Sequence, residues 1–290
     1  AFISQWSLFG FGESSSSSGG VLSNSNGKIL TEFINISFVT VVGLLFLSKS
    51  ITGEDDGTHS FSFSSIGATA GGGGGGGGVL SDTNTGTSQQ MTEGELKEVV
   101  DTAHGLGRKV ASHAHGADGI NAALRAGVDS IEHGSYADKE SVRLFKKTGA
   151  YLVPTLLAGH TVMKMAKESD FMSDAIKVKA IDVSSAMAGN FTKAYEAGVN
   201  IAYGTDSGVS RHGTNAYEAI LMYEAGMSAS DILKSATVNA ADLIDHSDSL
   251  GTVEPGKHAD IIATALSPLK DITALLKVDF VMKGGVIVKQ

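Results

Sequence analysis

Three short strings restrict this chain to very few architectures. They are Val110-Ala-Ser-His113-Ala-His115-Gly116, Ser130-Ile-Glu-His133-Gly134 and Ile201-Ala-Tyr-Gly-Thr-Asp206-Ser-Gly208. Each is a β-prone apolar run that ends in a metal-competent side chain and a glycine. Stretches with helical spacing lie between them. Strands alternating with helices through short glycine turns imply a parallel sheet. Parallel strands bring their C-terminal ends to one face, where a (β/α) barrel assembles its ligands. The expected fold class is therefore α/β, an incomplete or divergent TIM (β/α) barrel.

The helical stretches are legible one by one. Thr92-Glu-Gly-Glu95 is a capping-box pattern, followed at helical spacing by Leu96, Val99, Val100 and Ala103. Lys109–His113 reads as a strand, Asp118–Ala126 as a helix, Ser130–His133 as a strand and Asp138–Lys147 as a helix. Tyr151–Thr155 is a strand closed by Pro154. Thr161–Ala197 reads as one long helical stretch, Asn200–Thr205 as a strand, and Asn215–Ala225 and Ala229–Ile244 as helices. From Gly251 the pattern changes. Ala259–Ala263 and a pair of strands in Val278–Val288, joined by Gly284-Gly285, form a small β appendage.

Before residue 90 the composition is different. It contains Ser14–Ser18, the run Gly71–Gly78 and the polar stretch Ser81–Gln90. A glycine run has no side chains to pack and loses much entropy on ordering, so it reads as loop or linker. Phe33–Leu47 is apolar but short for a membrane span, holds Asn35, Ser37 and Thr40, and follows Glu32. It reads as buried strand rather than anchor. The expected organisation is a divergent Gly/Ser-rich region over 1–90, a barrel over 91–250 and a β-domain segment over 251–290.

Among 290 residues there is no cysteine, so any metal has only His and carboxylate ligands. The net charge is −9 and no basic cluster is present, which argues against nucleic-acid binding. His113, His133 and Asp206 end three separate strands, so their side chains are expected to converge as a metal site. Two imidazoles and a carboxylate with an open position suit a divalent ion, zinc first, and its water. Asp206 is also the candidate catalytic carboxylate, accepting a proton from that water and returning it to the leaving group. His115 is expected on the side opposite His113 if the strand continues, and at the pocket mouth if it ends. His212 lies on the loop after Asp206, facing substrate or simply entering a helix. His104, His160, His246 and His258 are expected in solvent, and Pro154-Thr155 at the barrel rim.

Residues from about Gln90 to Gln290 resemble the amidohydrolase superfamily, in particular its imidazolonepropionase and Xaa-Pro or Xaa-Arg dipeptidase (prolidase-like) branch. The strings that carry the resemblance are Met91-Thr-Glu-Gly-Glu-Leu96, His113-Ala-His-Gly116, Ser130-Ile-Glu-His-Gly134, Tyr203-Gly-Thr-Asp-Ser-Gly208 with His212-Gly213, and Gly251-Thr-Val-Glu-Pro-Gly-Lys-His-Ala-Asp-Ile261. The resemblance implies a distorted TIM barrel with a small β-domain built from both chain ends, and a homo-oligomer. It matches His113 and His133 to the metal-binding histidines of the fifth and sixth strands. It matches Asp206 to the eighth-strand aspartate, and His115 and His212 to positions near substrate. The family's first-strand His-x-His pair has no counterpart before His113, and Ser65 or its neighbours stand where many members carry a bridging lysine. The front is expected to be truncated or rearranged relative to the family.

The expected function is a metal-dependent hydrolase of amide or peptide bonds, with dipeptides or N-acyl amino acids as substrates and the cytoplasm as the favoured compartment. The alternative is a degenerate, non-catalytic relative that binds a ligand or partner.

Overall fold

In a computed structural model, the backbone of residues 65–69 and residues 87–168 and 172–290 are described. The readings for Gly71–Gly78 and Phe33–Leu47 lie outside the described residues. Strand β1 (Ser65–Thr69) opens a five-stranded sheet with β2 (Lys109–Ala114), β3 (Ser130–His133), β4 (Tyr151–Val153) and β5 (Asn200–Ile201). All four neighbouring pairs are parallel, in the order β1-β2-β3-β4-β5. The α/β class with a parallel sheet is thus present. A closed barrel is not, among the described residues: the sheet is open at both edges.

Helix α1 (Glu93–Gly105) starts where its capping box dictates. The Glu95 N–H donates to Thr92 Oγ1 at 3.2 Å, and the Thr92 N–H donates to Glu95 Oε2 at 2.8 Å. Helix α2 (Ala117–Ala126) stops at Gly127, left-handed at φ 97°. Helix α3 (Lys139–Thr148) is capped by Asp138, whose carboxylate accepts the Ser141 N–H at 2.8 Å. These three helices and the sheet share one core. Val110, Ala114, Ile131, Leu152 and Ile201 of the strands meet Leu96, Ile120, Leu124, Leu144 and Phe145 of the helices, all of them buried. Each of these side chains except Ala114 contributes about 1.5–3 kcal/mol by leaving water.

The long helical stretch is two helices, α4 (Leu156–Glu168) and α5 (Asp174–Glu196), the second capped by Ser173. They approach closely: a Cβ on Gly159 would sit 2.5 Å from Met187 Sδ. The stretch Ala229–Ile244 is also divided, into α7 (Ala229–Ser235) and α8 (Val238–Leu243), because Thr237 leaves the helical region at φ −127°, ψ −85°. Helix α6 (Tyr217–Glu224) precedes them. Strand β5 is shorter than the pattern suggested, since after Ala202 the backbone finds another partner: the Tyr203 N–H bonds Ser235 at the end of α7. The following Gly204 is buried against β4, and an added Cβ would lie 2.3 Å from Val153 Cγ1. Gly204→Ala is expected to cost about 1–3 kcal/mol by overpacking, read as a lower urea midpoint at unchanged slope.

The C-terminal appendage is an antiparallel sheet of β6 (Ile261–Ala263), β7 (Phe280–Lys283) and β8 (Val286–Lys289). Gly284 and Gly285 form its turn, both at positive φ. Among the described residues, no helix is long and apolar enough to cross a membrane.

Candidate metal centre

Strand β2 buries alternate residues, Val110, Ser112 and Ala114, beneath the helices. The period of two leaves Ala111 and His113 on the other face. His115, the first residue past the strand, lies two positions beyond His113 and hence on the same face. The ring centroids are 4.8 Å apart, edge to face. The expectation of opposite sides is corrected here, because side chains at i and i+2 share a face.

His133 reaches the same place by a less regular route. In the parallel register His113 pairs with Glu132, and Ala114 with His133. Strand alternation would therefore aim His133 with Ala114, away from His113. Instead His133 is left-handed, at φ 73°. Its ring lies 4.5 Å from that of His113 and is stacked 4.8 Å from that of His115. One nitrogen from each of the three histidines falls within 4.8 Å of the others.

Two hydroxyls orient these rings. His115 Nδ1 is 2.7 Å from Ser135 Oγ, and His133 Nδ1 is 2.6 Å from Thr155 Oγ1. When Nδ1–H donates to the hydroxyl, Nε2 carries the lone pair and is the ligand atom. Burial pushes the His133 imidazole down to about 4. Burial, and then the neighbouring His113 and His133, hold His115 well below the usual histidine range. These two rings are neutral at pH 7, the form that binds a cation.

Sequence reasoning named neither Ser135 nor Glu132, and it gave Thr155 only a rim role. Glu132 faces the same side as its register partner His113. Ser130 Oγ donates to Glu132 Oε1 at 2.7 Å. Burial pushes this carboxyl up to about 7, with the Ser130 bond opposing and the charge of Asp206 assisting. Only the pairing register reveals Glu132 as part of the site.

Asp206 follows β5 in the left-handed region at φ 50°. Burial raises its carboxyl above the ordinary range, and His113, close enough for its charge to act, opposes the rise. Asp206 is not a member of the three-nitrogen group. His212 is exposed, as are His104, His160, His246 and His258. Only four non-glycine residues among those described have positive φ, and three of them, His133, Thr155 and Asp206, terminate or follow β3, β4 and β5. Each such position costs on the order of 1–3 kcal/mol and persists only where the surroundings enforce it. Strain is thus concentrated at the strand ends that carry the candidate chemistry.

The Glu132 carboxyl makes a pH signature. Its folded value, about 7, lies above the ordinary 4.5, so the stability it contributes is present below pH 4.5 and lost as pH rises through 7. Relative to wild type, Glu132→Gln should gain about 1 kcal/mol per pH unit across that window. Urea titrations of both metal-free proteins at a series of pH values measure the difference. A pH-independent difference would show that Glu132 ionises as it does in water.

Residues 68–288 match the amidohydrolase family. The chain is 35% identical over 216 residues to the ochratoxinase of Aspergillus niger, covering 73% of this chain and 44% of that protein. Among solved structures, it is similar to a Xaa-Pro dipeptidase with methionine bound in the active site, with 43% identity, TM-score 0.74, and coverage of 78% of this chain and 55% of that one. It is also similar to a prolidase complexed with N-methylphosphonate-L-proline, with 28% identity, TM-score 0.71 and the same two coverages, 78% and 55%. The chain spans about half the length of the proteins it matches.

Proposed function

The chain belongs to the amidohydrolase family and to its prolidase-like branch, and from that premise we propose that it is a metal-dependent hydrolase of amide or peptide bonds. The observation that supports this reading most is the convergence of His113, His115 and His133 on one face at the strand ends. Three clustered imidazoles, two of them neutral and bonded to hydroxyls, suit a borderline divalent ion, zinc before magnesium or calcium, which prefer oxygen. His113 and His133 are two of the three ligands expected from the sequence; the third, Asp206, stands outside the three-histidine group and keeps the proton-transfer role. His115 joins them in this proposal, because at 7% exposure it offers little surface to a substrate. His212, exposed on the loop after Asp206, keeps the substrate-side role.

A divalent ion held there would supply Lewis-acid polarisation and a water of lowered pKa. Asp206 receives the proton of the attacking water and delivers it to the leaving amine nitrogen. Its burial raises its basicity and so favours proton capture. By accepting from Nδ1–H, Ser135 and Thr155 would hold His115 and His133 in the tautomer that leaves Nε2 free. Dipeptides of the Xaa-Pro and Xaa-Arg type and N-acyl amino acids are the proposed substrate class, by analogy with the dipeptidase and prolidase relatives. The unit carrying the site is proposed as residues 91–250, with 251–290 as the β-domain segment.

Elemental analysis and a substrate panel test the proposal. About one zinc per chain and turnover of at least one dipeptide class are expected. Stoichiometric zinc with no turnover across the panel would instead favour the non-catalytic ligand-binding relative. His115→Ala separates the two roles of His115. A lost zinc supports the ligand role, and a raised KM with zinc retained supports the substrate role.

A further inference from the structure

Helix α4 begins at Leu156, directly after Thr155. A threonine in that position normally turns its hydroxyl onto the first free N–H groups of the helix. Thr155 does not. Its backbone is left-handed at φ 49°, and its Oγ1 is 2.6 Å from His133 Nδ1. The orphan donors are satisfied from elsewhere. The Leu156 N–H donates to Glu218 Oε1 at 2.9 Å, and the Leu157 N–H donates to Glu218 Oε2 at 2.6 Å. Glu218 lies on α6, 62 residues from Leu156, and is fully buried. A carboxylate at a helix N-terminus meets both the N–H groups and the positive end of the helix dipole.

The start of α6 that carries Glu218 is anchored by Tyr203. Tyr203 donates its hydroxyl to the Asn215 carbonyl at 2.7 Å and accepts the Ala219 N–H at 3.0 Å. This ties the start of α6 to the chain that leads into Asp206. One helix start therefore secures both the segment after β4 and the segment after β5.

We propose that Glu218 is a positioning residue of the metal centre: by capping α4 in place of Thr155, it frees the Thr155 hydroxyl to orient His133. The inference rests on the reading of His133 as a metal ligand. In Glu218→Gln, one N–H loses its acceptor and faces an amide donor. The Thr155 hydroxyl is then drawn to the helix and His133 loses its orienting partner.

Zinc affinity of the metal-free protein, measured by chelator competition, tests this beside thermal unfolding without metal. His133→Ala is the reference for loss of a ligand. Thr155→Val and Glu218→Gln should each weaken zinc binding by about 10-fold or more, the usual effect of removing an outer partner. The double variant should bind no more weakly than Thr155→Val alone, because Glu218 acts on the metal centre through the Thr155 hydroxyl. Thr155→Ser, which keeps the hydroxyl, should bind zinc within a few-fold of wild type. A purely structural cap would lower the unfolding temperature and leave zinc affinity unchanged, and this would overturn the proposal. Additive losses of zinc affinity would also overturn it, because Glu218 would then not act through Thr155. Should Glu218→Gln fail to fold, Glu218→Asp, which retracts the carboxylate by one methylene, is read by the same criteria. Zinc binding unchanged in His133→Ala would remove the metal-site reading and the proposal together. Zinc lost in His133→Ala but kept in Glu218→Gln would remove the proposal alone.

Discussion

His133→Ala is expected to weaken zinc binding by more than about 100-fold and to abolish hydrolysis. Loss of an outer-shell partner already costs 10- to 100-fold, and loss of a ligand costs more. The three imidazoles pack ring against ring at 4.5 to 4.8 Å, with no other donor among the described residues in their group. The backbone provides an internal control. At φ 73° alanine is strained and glycine is not. His133→Gly should thus be more stable than His133→Ala by about 1 kcal/mol without metal, while binding zinc equally poorly. Equal stability of the two variants would mean that the strand end relaxes once the imidazole is gone. Wild-type zinc affinity in either variant would place the metal elsewhere.

Asp206→Asn is expected to lower kcat/KM by on the order of 10²–10⁴-fold, the range for removal of a general acid–base group. The substitution isolates chemistry from structure. Asparagine enters the left-handed region as readily as aspartate, so the backbone at φ 50° is preserved. The amide fills the same space but cannot take a proton. His212→Ala, on an exposed loop residue, should cost far less. The comparison needs zinc-loaded protein and a panel of Xaa-Pro, Xaa-Arg and N-acyl amino-acid substrates. Asp206→Asn with wild-type turnover would remove the proposed proton transfer.

Much of the α/β order could be read from residues alone, because its causes are local. The Thr92–Glu95 box starts α1, Gly127 and Gly149 end α2 and α3, and Gly284-Gly285 turns the last hairpin. His113, His133 and Asp206 stood out because each closes an apolar run before a glycine. What local pattern could not supply was direction. Strand period alone would send His133 away from His113, and only the left-handed turn at the end of β3 brings it back. Glu132 enters the site through its register with His113, and Thr155 through a hydrogen bond spanning 22 residues. The division of Ala229–Ile244 near Thr237 depends on that residue's backbone angles, which apolar spacing does not encode. Composition and periodicity therefore dictated which elements form and which side chains end the strands, since capping, turning and apolar spacing act over a few residues. The placement of His115 beside His113 and His133 and the cap that Glu218 places on α4 depend on tertiary structure. Both depend on backbone angles and contacts that exist once distant segments have packed.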